Sequence, residues 1–303
     1  MAQTISDIKR LLADHGLHPK KRLGQNFLHD GNHMAKIMGA AALSAGDVVL
    51  EVGPGTGALT ERLVDAGARV VAVEIDRDME PILRERLGDR IALHLGDALE
   101  GKHAINPAVV ALLEQQRAAT QRAATVRERG SSQAGLEQAP LPDGRGSSNI
   151  GSFKLIANLP YHIASPLLAN LALDHPAMSA AVVMIQKEVA DRLLASPGTK
   201  AYGPLGILLQ AIFEVSRVGV LKPGCFYPPP SIDSAVVALH RRPTPVCDDP
   251  HVFSKLLHTL FSKRRKQLGA ILGRNSPLPQ GVEPTMRPEV LTLDQLCELA
   301  RGR

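Results

Sequence analysis

The 303-residue chain has no tryptophan, and aromatic residues make up 3% of it. A protein this poor in rings cannot offer the row of stacking platforms used to hold single-stranded nucleic acid, so any nucleic-acid recognition must rest on shape and backbone contacts. Cysteine is also scarce. Cys225, Cys247 and Cys297 are an odd, scattered set without paired metal-type spacing, which argues against a disulfide framework and leads to an expectation of a reducing compartment and no metal. No window holds about 18 uninterrupted apolar residues, and the opening segment carries acids and lacks an apolar signal region. The expectation is a soluble, cytoplasmic protein without a membrane partner. Charge of one sign is not in large excess: 35 Lys and Arg face 30 Asp and Glu, a net +5 that points to an anionic partner only if it is clustered.

What is present fits a folded chain: 44% hydrophobic and 21% charged residues, at a length suited to one large domain and a smaller one. Residues 4 to 14 place Ile5, Ile8, Leu11 and Leu12 at helical spacing, followed by the basic loop "HPKKRLGQNFLHD". The short β-rich runs "DVVLEV", "ARVVAVEID" and "RIALHLGDA" then alternate with the helix-like "ALTERLVDAG" and "RDMEPILRERLGD". That alternation predicts an α/β fold with a parallel sheet covered on both faces. Residues 101–152 interrupt it: a possible helix is followed by the Gly/Ser/Pro-rich "SSQAGLEQAPLPDGRGSSNIGS", and the whole stretch reads as a surface insertion, partly disordered. The rhythm resumes at "FKLIANLPY" and "AAVVMIQ". "AIFEVSRVGVL" and "SAVVALH" predict an antiparallel pair around the proline loop "KPGCFYPPP". Beyond the linker "RRPTPVCDDP" only helical patterns occur, so the division expected is 1–245 for the α/β domain and 246–303 for a small helical one.

In "VVLEVGPGTGALTERL" the glycines Gly53, Gly55 and Gly57 follow a strand and open a helix, where bare backbone lets a ligand approach the helix N-terminus. Glu74 ends the next strand, 21 residues after Gly53, placed to accept hydrogen bonds from ribose hydroxyls, and Asp97 ends the third, within reach of an adenine amino group. Gly53, Gly55 and Ala58 also satisfy the dinucleotide pattern, so NAD and S-adenosylmethionine both fit this loop.

"NLPY", residues 158 to 161, follows a buried strand and carries no acid, base or thiol. An adenine N6 amino group is a poor nucleophile because its lone pair is delocalised. Acceptors on both N–H groups, the Asn158 oxygen and a carbonyl at Leu159 or Pro160, would hold the nitrogen nearer tetrahedral and aim the lone pair at an electrophilic methyl. Pro160 fixes the turn and removes a competing donor, and Tyr161 would stack on the base.

"GQNFLHD", "EVGPGTGALT", "VEIDRD", "GDA", "NLPYHIASP", "FYPPPSIDSAVV" and "FSKRRKQLGAIL" occur in that order along the chain. In this ordered set the sequence closely resembles the KsgA/Dim-type ribosomal RNA adenine dimethyltransferases, relatives of the Erm methyltransferases. The resemblance covers nearly everything outside 101–152. It implies a Rossmann-like S-adenosylmethionine-dependent domain with a small helical C-terminal domain, and dimethylation of two adjacent adenosines near the 3′ end of small-subunit ribosomal RNA. By matching positions it makes Asn26, Leu28, Gly53, Glu74, Asp97 and Asn158 cofactor contacts, with Gly55 and Ile75 beside them. It assigns Asn158 and Tyr161 to the target base and Phe226 to a second stacking wall. The chain departs from the family pattern at His162, where Asn is common and which we read as structural, and in the long insertion.

Two basic runs, Lys20, Lys21 and Arg22 and then Lys263, Arg264, Arg265 and Lys266, suit phosphate contact from either side of a cleft. The partners expected are small-subunit ribosomal RNA and the assembling 30S subunit, not DNA, with a monomeric protein. The rival readings are an NAD-dependent oxidoreductase, an Erm-like enzyme of the large subunit, and a non-catalytic RNA-binding assembly factor.

Overall fold

Runs such as Val48–Val52 and Arg69–Glu74 are rich in β-branched residues and apolar at nearly every position, the pattern of strands covered on both faces. In the computed structural model, which describes residues 3–132, 151–273 and 276–301, these runs are adjacent inner strands of a seven-stranded sheet. The chain begins with α1 (Ile5–Asp14), whose start is held by a reciprocal pair of bonds between Thr4 and Asp7. A two-residue strand β1 (Phe27–Leu28) and α2 (Gly31–Ala41) lead into β2 (Val48–Val52), α3 (Ala58–Asp65), β3 (Arg69–Glu74), α4 (Glu80–Leu87) and β4 (Ile91–Leu95). A small hairpin of β5 (Leu99–Glu100) and β6 (Ala104–Ile105) precedes the long α5 (Pro107–Ser132). Then come β7 (Phe153–Asn158), α6 (Ala164–Asp174), β8 (Met178–Gln186), α7 (Lys187–Leu193) and α8 (Pro204–Ile212). The sheet is completed by β9 (Phe213–Leu221) and β11 (Ser234–Arg241), with the short β10 (Phe226–Tyr227) between them in sequence. The chain continues through α9 (Pro250–Ser262), α10 (Leu268–Leu272) and α11 (Leu293–Arg301).

The strand order is β4-β3-β2-β7-β8-β11-β9. The first five strands are parallel, and β11 runs antiparallel between β8 and β9. The expected alternation and the expected antiparallel pair are both present. Strand order reverses between β2 and β7, so their carboxyl ends open a crevice where ligands bind in sheets of this kind. Alternate residues of β2 face opposite layers: Val48, Leu50 and Val52 join the helices α5, α6 and α8, while Val49 joins α1 to α4.

Residues 101–152 need correction. Ile105, Val109 and Leu113, all within the supposed surface insertion, are buried in the core, and α5 packs on β2, β3 and β4. A parallel β4-to-β7 passage requires a crossover, and α5 supplies it. Most of the Gly/Ser/Pro-rich part, residues 133–150 of 131–152, lies outside the described residues. At the other end, α9 lays Phe253, Leu256, Leu257 and Leu260 against α8, joined by Leu296 and Leu299 of α11. The C-terminal helices share the apolar layer of the α/β unit instead of enclosing a core of their own.

Candidate active site

The crevice is a pocket of about 1030 Å³, open solvent included, lined by the loop after β2, the ends of β3 and β4, the β1 segment and the turn after β7. Gly53 and Gly55 sit at φ +76° and +55°, the left-handed region that side chains disfavour. At Gly55 a Cβ would stand 2.8 Å from the Phe27 ring, so the loop can turn here only without a side chain.

Glu74 is buried at the end of β3. Its Oε2 accepts from Gly55 N at 3.2 Å and its Oε1 from Asp76 N at 2.9 Å, which ties the acid to the glycine loop. Burial still raises its pKa above the usual carboxylate range. Each carboxylate oxygen retains a lone pair for a further donor. Ile75 follows, 42% exposed, an apolar face turned into the pocket, and Asp97 stands exposed at its edge with Oδ1 accepting from Leu99 N. Sequence reasoning missed Glu51. It lies within β2, lines the pocket and is 1% exposed, and its Oε2 has no hydrogen-bond partner among the described residues. Burial, reinforced by the nearby Glu74 charge, pushes its pKa up to about 8. The signal was an acid inside the otherwise apolar "VVLEV".

Asn158 ends β7, and its Nδ2 donates to the Asn26 carbonyl oxygen at 2.9 Å. A carbonyl can only accept, so this bond fixes which way the amide points and leaves Oδ1 to accept from a ligand. Leu159 N donates to Met184 O on β8, and Ile163 N closes the turn onto the Pro160 carbonyl. The Tyr161 hydroxyl lies 2.7 Å from Ser234 Oγ, which anchors the ring at the pocket wall, and burial raises its pKa. His162 is exposed at the rim. Asn26 and Leu28 line the pocket, but Phe226 does not. Its strand, β10, pairs with β1 in the register Leu28↔Phe226, and its ring is 2% exposed among the residues of the α1-to-α4 layer. The pairing turns Phe226 into the core, so the expected second stacking wall is not an open face.

Comparison with known proteins decides the family. Residues 16–299 match the family described as ribosomal RNA adenine dimethylase. The chain belongs to that family. It is 37% identical to the ribosomal RNA small subunit methyltransferase A of Bifidobacterium adolescentis, over 98% of this chain and 92% of the relative. It is 39% identical to the protein of the same name from Anaeromyxobacter dehalogenans, over 97% and 96%. Among solved structures, a dimethyladenosine transferase from Plasmodium falciparum aligns with TM-score 0.58 at 27% identity, covering 82% of this chain and 75% of that one. The 23S rRNA methyltransferase ErmE aligns with TM-score 0.60 over 91% and 99%, and at 23% identity that likeness speaks for the fold alone.

For a member of an RNA-modifying family the basic runs matter, and the structure divides them. Lys20 is not a free cation: its Nζ donates to Asp76 at 2.6 Å and Asp78 at 2.5 Å, and these bonds raise its pKa. Arg264 donates to Glu289 and to the carbonyls of Lys200 (2.9 Å) and Thr199 (3.0 Å), pinning the segment after α9 to the loop before α8. Both were expected to meet RNA, and both are engaged inside the fold. Lys21, Arg22, Lys263, Arg265 and Lys266 remain exposed, with no ion pair among the described residues. No helix among those residues is long and apolar enough to cross a membrane.

Proposed function

We propose that this protein dimethylates N6 of two adjacent adenosines in the 3′-terminal hairpin of 16S small-subunit ribosomal RNA during ribosome biogenesis. It would act in the cytoplasm as a monomer on the assembling 30S subunit. The observation that carries the reading is the Asn158 amide, locked by Asn26 with its oxygen available beside the acid-lined glycine pocket. The pocket suits S-adenosylmethionine: the unpartnered Glu51 oxygen fits an ammonium, Glu74 the ribose hydroxyls, Asp97 the adenine amino group and Ile75 the adenine face. When bound, that cofactor supplies an electrophilic methyl already activated by its sulfonium and leaves as S-adenosylhomocysteine.

The chain's own residues then need to do three things. In the first transfer Asn158 Oδ1 takes one N–H of the target N6 and the Leu159 carbonyl takes the other, the Pro160 carbonyl being already engaged by Ile163; in the second transfer the single remaining N–H is held by one of these two acceptors. Two acceptors in fixed positions favour a nitrogen whose lone pair points out of the ring plane, which is catalysis by positioning and electrostatics. Tyr161, held by Ser234, offers its ring to the extruded base. No titratable base is required, because the product ammonium loses its proton to water. The small-subunit target is favoured over an Erm-like one by relatives that share more than a third of the sequence over nearly its full length.

The test is methyl transfer from labelled S-adenosylmethionine to small subunits lacking adenine dimethylation, with the nucleoside identified by mass spectrometry. N6,N6-dimethyladenosine at adjacent positions is expected. Tight subunit binding without transfer would leave a non-catalytic assembly factor, and transfer only to large-subunit RNA would make the enzyme Erm-like.

A further inference from the structure

We propose that Asp30, His33 and Cys225 form a binding site for one zinc-class divalent cation that clamps the Cys225–Tyr227 segment to the start of α2. The three ligand atoms lie within 4.8 Å of one another. Asp30 is the N-cap of α2: its Oδ1 accepts from His33 N at 2.9 Å and lies 3.0 Å from His33 Nδ1. The Cys225 sulfur sits 3.9 Å from both His33 Nδ1 and Asp30 Oδ2. Zinc bonds of about 2.3 Å to sulfur and about 2.0–2.1 Å to nitrogen or oxygen, at tetrahedral angles, separate sulfur from the lighter donors by roughly 3.5 Å and those donors by roughly 3.3 Å. The sulfur–nitrogen edge is within about 0.4 Å of that tetrahedron, while the Asp30 carboxylate meets nitrogen through Oδ1 and sulfur through Oδ2, so it must turn to bring one oxygen to the ion.

The alternative chemistry for such a trio, an activated cysteine nucleophile, needs the thiol and the carboxylate on opposite nitrogens of the imidazole. Here both face Nδ1, so a proton relay from sulfur through the ring to the acid has no path. A point approached by three donors instead suits a cation. One thiolate, one imidazole and one carboxylate form a mixed, borderline-soft set that suits zinc better than the all-oxygen preference of magnesium or calcium. The side chains of Asp30 and His33 are 30% and 19% exposed, which leaves room for water in a fourth position.

The position gives the ion a structural task, and none of its ligands lines the pocket. His29 N already donates to the Cys225 carbonyl at 3.1 Å, and β1 pairs with β10 one residue further on. A bound cation would add a third tie between the same two segments, 195 residues apart from Asp30 to Cys225, directly behind the pocket residue Leu28. The inference does not depend on methyl transfer.

The full-length protein, reduced and stripped with chelator, would be titrated with cobalt(II) as a spectroscopic stand-in and then with zinc. One equivalent of cobalt is expected to give a thiolate charge-transfer band that zinc bleaches, with a rise in melting temperature on zinc addition. Cys225→Ser should abolish the band and the thermal shift, and Asp30→Asn, which preserves the helix cap, should weaken binding by roughly tenfold or more. Cys297→Ser should leave the band intact. A folded, reduced protein with no band, a band that survives Cys225→Ser, or one that disappears in a folded Cys297→Ser protein would each overturn the assignment.

Discussion

Replacing Glu51 by glutamine keeps the side chain's shape and removes its ability to ionise. The wild-type carboxyl is 1% exposed, and burial pushes its pKa up to about 8 in the folded protein, against an ordinary value of 4.5. Between those values the folded protein holds a proton that the unfolded chain has released, so stability must fall as pH rises through that window. At about 1.4 kcal/mol per tenfold change in proton affinity, the full difference has a ceiling of roughly 5 kcal/mol. Between about pH 5.5 and about 7.5 the wild type should lose roughly 2–3 kcal/mol more than Glu51→Gln, measured by urea unfolding without cofactor. Titrating groups that do not interact with Glu51 are common to both proteins and cancel in the comparison, whereas Glu74, whose charge acts on Glu51, contributes a smaller coupled difference. Saturating S-adenosylmethionine should flatten the wild-type descent, because an ammonium against Glu51 favours the ionised acid. Parallel stability curves for the two proteins would refute the claim that burial holds Glu51 protonated.

Asn158→Ala should lower turnover by roughly 10²–10³-fold while subunit binding persists, as befits a group that acts on the reacting nitrogen; retained methylation would sink the positioning mechanism. Phe226→Ala should cost about 3–5 kcal/mol of stability in urea unfolding, the loss of a buried ring. Unchanged stability with reduced turnover would instead mean that Phe226 leaves the core to stack on the base. Single alanine substitutions of Lys21, Arg22, Lys263, Arg265 or Lys266 should each weaken RNA binding and reduce its salt slope by about one. Lys20→Ala should change that slope less, since Asp76 and Asp78 already engage its charge. An equal change in slope would refute that pairing in the RNA-bound state.

The strands were legible because burial on both faces writes itself as short runs dominated by Val, Leu, Ile and Ala, and the glycine loop because a sharp strand-to-helix turn demands residues without side chains. The helical character of the C-terminal segment was legible for the same reason of periodicity. What depends on a distant partner was not. Val109 and Leu113 sit in a stretch whose polar continuation hid its buried face, and nothing near Phe226 in sequence announces its pairing with Leu28. Lys20 and Arg264 read as phosphate ligands because their counter-charges, Asp76, Asp78 and Glu289, are supplied by other segments. Asn158 was recognisable as a hydrogen-bonding residue, whereas the orientation of its amide is set by the Asn26 backbone, 132 residues earlier.

The β1–β10 pairing also orders events in time. Phe27 meets Tyr227, 200 residues later, and β11 must slot between β8 and β9 before the sheet is whole. A nascent chain leaving the ribosome therefore displays β1 long before its partner strand exists. At roughly 5–20 residues per second, about 10–40 seconds of synthesis separate the two halves of that clasp. Every residue that lines the pocket, from Leu23 to Met184, is made before that interval closes, so the lining is complete in sequence while the strand that clasps β1 from behind is still missing.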